Sequence, residues 1–269
     1  MMTVIDINPL QLSFAFVLVI ILSFCAFAAR LGITKKLLIS AIRTIVQLSL
    51  IGLVLEALFS TSSPFWISMM ALAMLLIAGR EVTARQRRRL TKGWSFAIGT
   101  TSMFVSSFTV AILTLTVIIN PHPWFTPQYA IPLLGMMLGN TMNGVAICLD
   151  RLHETTWQQR RVIENRLMLG HPWNEAIGKI RRDAVRAGMI PAINAMAAAG
   201  VVSLPGMMTG QILAGTSPAL AVKYQILIML MITVGSGFGS MISVLLASRR
   251  LFDQRERLRI DRLVLNDPD

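Results

Sequence analysis

The stretch FAIGTTSMFVSSFTVAILTLTVII, residues 96–119, carries no charged residue and no proline. A helix needs roughly 20 mostly apolar residues to cover a hydrocarbon core of about 30 Å, so this stretch reads as a transmembrane helix. Outward from it, residues 10–29, 37–59, 130–149 and 221–247 are apolar runs of similar reach. Residues 65–79 are short on their own and span only if the helix starts near Ser62 and runs to about Arg80, with flanking polar side chains snorkelling. Residues 187–204 form one more run, interrupted at Pro205-Gly206 and resumed over 207–214. Such a break is tolerated at membrane depth only where the freed backbone lies against protein or water, which predicts that it lines a cavity or turns back. The expected fold is all-α, a single polytopic helical bundle over residues 1–269 with about seven transmembrane helices.

Composition agrees. Of the 269 residues 54% are hydrophobic and 14% charged, with a mean hydropathy of +0.64, too apolar for a water-soluble domain. A net charge of +12 taken alone suggests nucleic acid or anionic lipid. Its placement decides otherwise. All but Arg43 and Lys223 of the 25 Lys and Arg residues fall in alternate loops: after the first, third, fifth and last runs. The intervening loops, residues 60–64 and 120–129, contain none. Basic residues collect on the cytoplasmic side, so the pattern predicts an outside N-terminus, a cytoplasmic C-terminus and no nucleic-acid role. The start, with Asp6 and no basic n-region, does not resemble a cleaved leader, and the first run is expected to stay as a helix. Cys25 and Cys148 lie far apart in apolar runs, which argues against a disulfide framework.

The long basic loop over residues 150–190 is the most informative. Residues 151–169 are polar yet free of proline and glycine, so the fifth helix can run on out of the bilayer until Gly170 stops it. Pro172 then suits the start of a second helix, with Glu175 near its positive end. The expectation is a cytoplasmic helix, tight turn and helix that returns to the membrane near Ile190-Pro191, a shape suited to docking on a soluble partner. The tail over residues 249–269 mixes acidic and basic residues and reads as a short, partly disordered helix.

Glu164-Asn165-Arg166-Leu167-Met168-Leu169-Gly170 resembles the EAA-x-x-x-G signature of ABC-transporter permeases, in which this segment couples to the ATPase subunit. Asn165 and Arg166 replace the two alanines, and Ile180-Arg181-Arg182-Asp183 stands where I-x-L-P is usual, which sets the chain apart from the import-type families. Nearly the whole chain is similar to the FetB-type permeases, a family of bacterial iron exporters and plant aluminium-tolerance proteins. The likeness rests on Gly135-Met136-Met137-Leu138-Gly139-Asn140, Leu169-Gly170-His171-Pro172, Arg182-Asp183-Ala184-Val185-Arg186-Ala187, Val202-Ser203-Leu204-Pro205-Gly206-Met207-Met208-Thr209-Gly210 and Ala221-Val222-Lys223-Tyr224-Gln225-Ile226. The resemblance implies a homodimeric inner-membrane permease for export of iron or a related metal, with Glu164, Gly170, His171 and Pro172 engaging a separate ATPase that uses ATP and Mg. No GxxxxGK[ST] phosphate loop occurs in the chain, so neither cofactor nor catalysis is expected here. Two other readings are an ABC permease for an organic solute, such as a sugar nucleotide or lipid, and a stand-alone ion-coupled carrier.

Polar groups at membrane depth are costly and therefore candidates for a pathway. Asn140 and Asn143 share a face of the fifth helix with Met136 and either offer amide oxygens to a cation or bond to neighbouring helices. Glu56 lies toward the outer end of the second run as an exit-side ligand or a rim group, while Arg43 can snorkel. Pro205, at the break that lines a cavity or turns back, is a further pathway candidate. Met136, Met207 and Met208 offer thioethers for a soft metal or simply fill the core. His122, His153 and His171 are assigned to loops, leaving no imidazole site inside the membrane. Gly135-x-x-x-Gly139 and Gly235-x-x-x-Gly239 allow close helix approach, at a dimer seam or internally.

Overall fold

The computed structural model describes residues 8–61 and 63–266; Ser62, the first seven residues with Asp6, and the last three lie outside the described residues. Ten helices occur among them: α1 (Pro9–Ala28), α2 (Thr34–Thr61), α3 (Pro64–Ala84), α4 (Trp94–Ile119), α5 (Pro127–Gln158), α6 (Arg160–Met168), α7 (Trp173–Ala176), α8 (Gly178–Ala198), α9 (Gly206–Leu213) and α10 (Pro218–Arg250). Six of these, α1 to α5 and α10, are long and apolar enough to cross a membrane. α8 is not among them, because its first half carries Lys179, Arg181, Arg182, Asp183 and Arg186. As the proline-glycine break implied, the chain leaves helical geometry after α8 and re-forms it from Gly206, with Pro205 as the N-cap. α3 reaches Ala84, one turn past the expected end.

α4 is not a regular α-helix. Phe104–Phe108 and Thr114–Ile119 are π-helical. Ser102, Ser106 and Thr114 donate their hydroxyls to the carbonyls of Ile98, Ser102 and Val110, four residues back. Those carbonyls are then shared between two donors, which favours local widening of the helix.

The core is formed where α5, α8 and α10 meet. A side chain on Gly188 would sit 2.6 Å from the Gly144 carbonyl oxygen, 2.8 Å from Cys148 Cβ and 2.9 Å from Ser240 Oγ. The Gly235-x-x-x-Gly239 pair is an internal contact, since side chains there would strike Met137 and Thr141 of α5 at 2.5 Å. Small residues let the backbones approach, and the apolar cluster of Val145, Leu149, Leu152, Ala184 and Val244 closes around them.

The basic loops gather at one end of the bundle. β1 (Arg88–Leu90), after α3, pairs antiparallel with β2 (Leu263–Leu265) in the tail, with Arg89 opposite Val264. Arg88 bonds Glu154 at 3.1 Å and stacks over Trp157 of α5. His153, expected in a loop, instead lies within α5, buried, with Nδ1 3.0 Å from the Arg88 carbonyl oxygen. Among its described residues the tail after Arg250 is likewise not an α-helix. After α10 it folds back through a 3-10 turn (Ile260–Arg262) into β2, tied by Arg262 to the carbonyls of Arg250 and Phe252 and by Asn266 to those of Ala84 and Gln86. Arg255, Glu256, Arg257 and Asp261 face solvent while Leu251, Phe252 and Leu263 enter the core, a pattern that composition alone does not distinguish from a polar helix.

Candidate functional site: a basic-end hairpin and a lateral cleft

Two features stand at or near the basic end. The first is the projection made by α6 and α7. α5 ends at Gln158, and after a break at Gln159 the chain continues as α6. Gly170 takes φ +89°, the left-handed conformation that ends a helix at little cost only for glycine. The His171 amide then donates to the Arg166 carbonyl at 3.1 Å and the Gly170 amide to that of Leu167 at 3.0 Å, satisfying the open helix end. Pro172 is the N-cap of α7, which lasts one turn before α8 begins, so the second arm is in two pieces. The tip presents Met168 and Leu169, 77% and 80% exposed, beside exposed Glu164 and His171.

Its base is fixed. Ile163, Ala176, Ile177 and Ile180 are buried, Trp173 packs on Phe252 of the tail with ring centres 5.6 Å apart, and the Trp173 amide donates to Glu256 at 3.0 Å. A carboxylate there caps the positive end of α7. In the tail, the backbone amide of Arg257 holds the Asp253 carboxyl below its ordinary range, and the Arg259 side chain does the same for Asp261.

The second feature is a cleft of about 1490 Å³ between α2, α3 and α5. Its basic-end mouth has Lys36, Arg87, Asp150 and Asn266, and its far wall is Ile51, Val54, Met70 and Met74. Midway, Arg43 does not simply snorkel: it forms an ion pair with Glu81, which also faces Arg85 at 3.8 Å. Arg85 in turn donates to the Asn143 side-chain oxygen. Glu81 was missed by the sequence reading because it falls just past the third apolar run; the available signal was its spacing four residues before Arg85.

The proposed pathway residues are only partly brought together. Asn140 donates to the carbonyl of Met136 in its own helix at 2.8 Å, and Asn140 and Asn143 are both exposed. Met136 and Met207 pack on one apolar cluster of Leu115, Leu133 and Ile228, and Met208 is buried. Glu56 is exposed on α2, and among the described residues no hydrogen bond or ion pair joins it to Asn140 or Asn143. Among the described residues no group of three or more His, Cys, Asp or Glu side chains could hold a metal ion.

Fold and composition define a multi-pass helical membrane protein. A family model described as "Uncharacterised protein family (UPF0014)" matches residues 9–252, and the chain belongs to that family. It is 39% identical over 233 residues to UPF0014 membrane protein slr1647 of Synechocystis, covering 86% of this chain and 88% of that one. It is 31% identical over 259 residues to the probable iron export permease protein FetB of Escherichia coli, covering 96% and 97%. The protein ALUMINUM SENSITIVE 3 of Arabidopsis thaliana is 30% identical over 245 residues, covering 91% and 88%. No solved structure matches the chain.

Proposed function

We propose that the chain is the membrane-spanning permease of an ABC transporter that exports iron or a related metal from bacterial cytoplasm, working as a homodimer in the inner membrane with a separate ATPase. The observation that carries this is the α6–α7 projection: a stiff, tail-braced helical hairpin whose tip exposes Met168 and Leu169 next to Glu164 and His171. Exposed apolar side chains on a rigid water-facing knob fit a groove on a soluble partner. The similarity to the E. coli probable iron export permease supplies the cargo class and the direction.

In this reading α8 and α9 together make a seventh crossing, the N-terminus lies outside, and the basic end faces the cytoplasm. ATP and Mg act in the partner. Closure of the ATPase dimer presses on the Gly170 turn, and α5 and α8 carry the movement toward Pro205, Met207 and Met208. The lack of a multi-ligand cluster among the described residues suits a cargo passed through weak oxygen contacts at Asn140, Asn143 and Glu56, or one carried as a chelate.

The test is transport into inverted vesicles containing the chain, its ATPase and ATP, with metals and organic solutes scanned side by side. Iron uptake that stops without ATP is expected; uptake of an organic solute instead would overturn the cargo. Gly170→Pro and Glu164→Arg are expected to abolish stimulation of the ATPase while membrane insertion stays intact, and unchanged stimulation would remove the coupling role. Full metal resistance in cells carrying Asn140→Ala and Asn143→Ala would mark those asparagines as packing residues.

A further inference from the structure

We propose that the cleft between α2, α3 and α5 holds an anionic phospholipid from the leaflet at the basic end, its phosphate between Lys36 and Arg87 and an acyl chain along Ile51, Val54, Met70 and Met74. This needs neither the ATPase nor a metal and stands apart from the permease reading.

Charge supplies the first argument. The cleft's four cations face two carboxylates, and both carboxylates are engaged: Glu81 with Arg43 and Arg85, and Asp150 with the Arg87 backbone amide at 2.7 Å. Among the described residues no hydrogen bond or ion pair engages the Lys36 ammonium or the Arg87 guanidinium, so a net positive mouth is left for a phosphate. A zwitterionic headgroup brings an ammonium that this mouth repels.

Shape supplies the second. At about 1490 Å³ the cleft exceeds the roughly 300–1,000 Å³ of ordinary small-molecule pockets. Its lining is ordered along the helix axes as a lipid is, with cations at the mouth, an ion pair below, then Thr44 and Gln47, and aliphatic and thioether groups at the far wall. From Arg43 to Val54 on α2, and from Glu81 to Met70 on α3, the wall runs for about 16 Å at ~1.5 Å per residue. That is half of a hydrocarbon core of about 30 Å, the reach of one leaflet. A free anion gains nothing from that wall. The mouth is also held in shape, since Asn266 donates to the Gln86 carbonyl at 3.0 Å where β2 meets β1.

The experiment places the full chain in phosphatidylcholine nanodiscs with a minor fraction of photoreactive phosphatidylglycerol and maps the adducts by mass spectrometry. Adducts are expected on residues 36–54 and 70–87, several-fold above those from photoreactive phosphatidylcholine at equal fraction. Lys36→Gln and Arg87→Gln should each lower the yield about fivefold. Thr44→Trp, an uncharged plug on the exposed α2 wall, should lower it with every cation retained. Equal labelling by phosphatidylcholine, or yields unmoved by the two charge variants, would overturn the headgroup assignment. Adducts surviving Thr44→Trp would remove the acyl chain from the cleft, and loss of adducts to millimolar inorganic phosphate would make this a free-anion site instead.

Discussion

The α1–α2 hairpin and the α5–α8–α10 bundle differ in the opposite sense to their hydropathy. α1 and α2 have mean hydropathies of 2.5 and 2.0, against 1.3 and 1.9 for α5 and α10. Yet α2 buries only Leu58 among its described side chains, while more than half of the α5 spanning segment is buried. In a bilayer the lipid is as apolar as leucine, so a strongly hydropathic helix gains nothing by turning its side chains inward. What packs is the small and hydroxylated surface: Thr141, Gly144, Gly188, Gly239, Ser240 and Ser243. Among the described residues, the hairpin is tied to the rest by the Arg43–Glu81 pair and the cluster of Leu58, Ile67 and Ile131. It is therefore the loosely attached element, and the bundle is the tightly packed frame.

The largest expected effect separates two glycines. Gly188→Leu forces a side chain into the Gly144 carbonyl and should cost about 3 kcal/mol or more, read as a lowered unfolding temperature in detergent. A Cβ added at Gly52 on α2 meets nothing within 4 Å, so Gly52→Leu should leave stability level or slightly raised through helix propensity. Equal losses at both sites would erase the distinction between frame and hairpin.

A smaller effect is expected where the two regions touch. Arg43→Ala should cost no more than about 1 kcal/mol, because the pair is partly exposed, but should broaden the distance distribution between spin labels at Thr44 and Ile77. An unchanged distribution would show that apolar contacts alone set the hairpin's position.

The smallest effect lies in the tail. Asp253 titrates below the ordinary aspartate value of about 3.9, so its contribution is complete above that pH and fades as pH falls through the lower folded value. Protection of the Arg257 amide, which donates to Asp253 at 2.9 Å, should decline over that acid window, and Asp253→Asn should remove the decline. A pH-independent exchange pattern, once corrected for intrinsic rates, would exclude the carboxylate as the tether.

The amino-acid sequence by itself determined six apolar segments of spanning length, the alternation of basic loops along the chain, the stop at Gly170 and the interruption at Pro205. Each is a local property: transfer of a short window into lipid, or the backbone freedom of one residue. Only the tertiary structure decided that Glu81 reaches Arg43, that Gly235 and Gly239 face α5, and that His153 lies buried beneath β1. It also turned the tail from an expected helix into a strand on β1. Those outcomes depend on which distant surfaces meet, and a window of hydropathy contains no term for the partner.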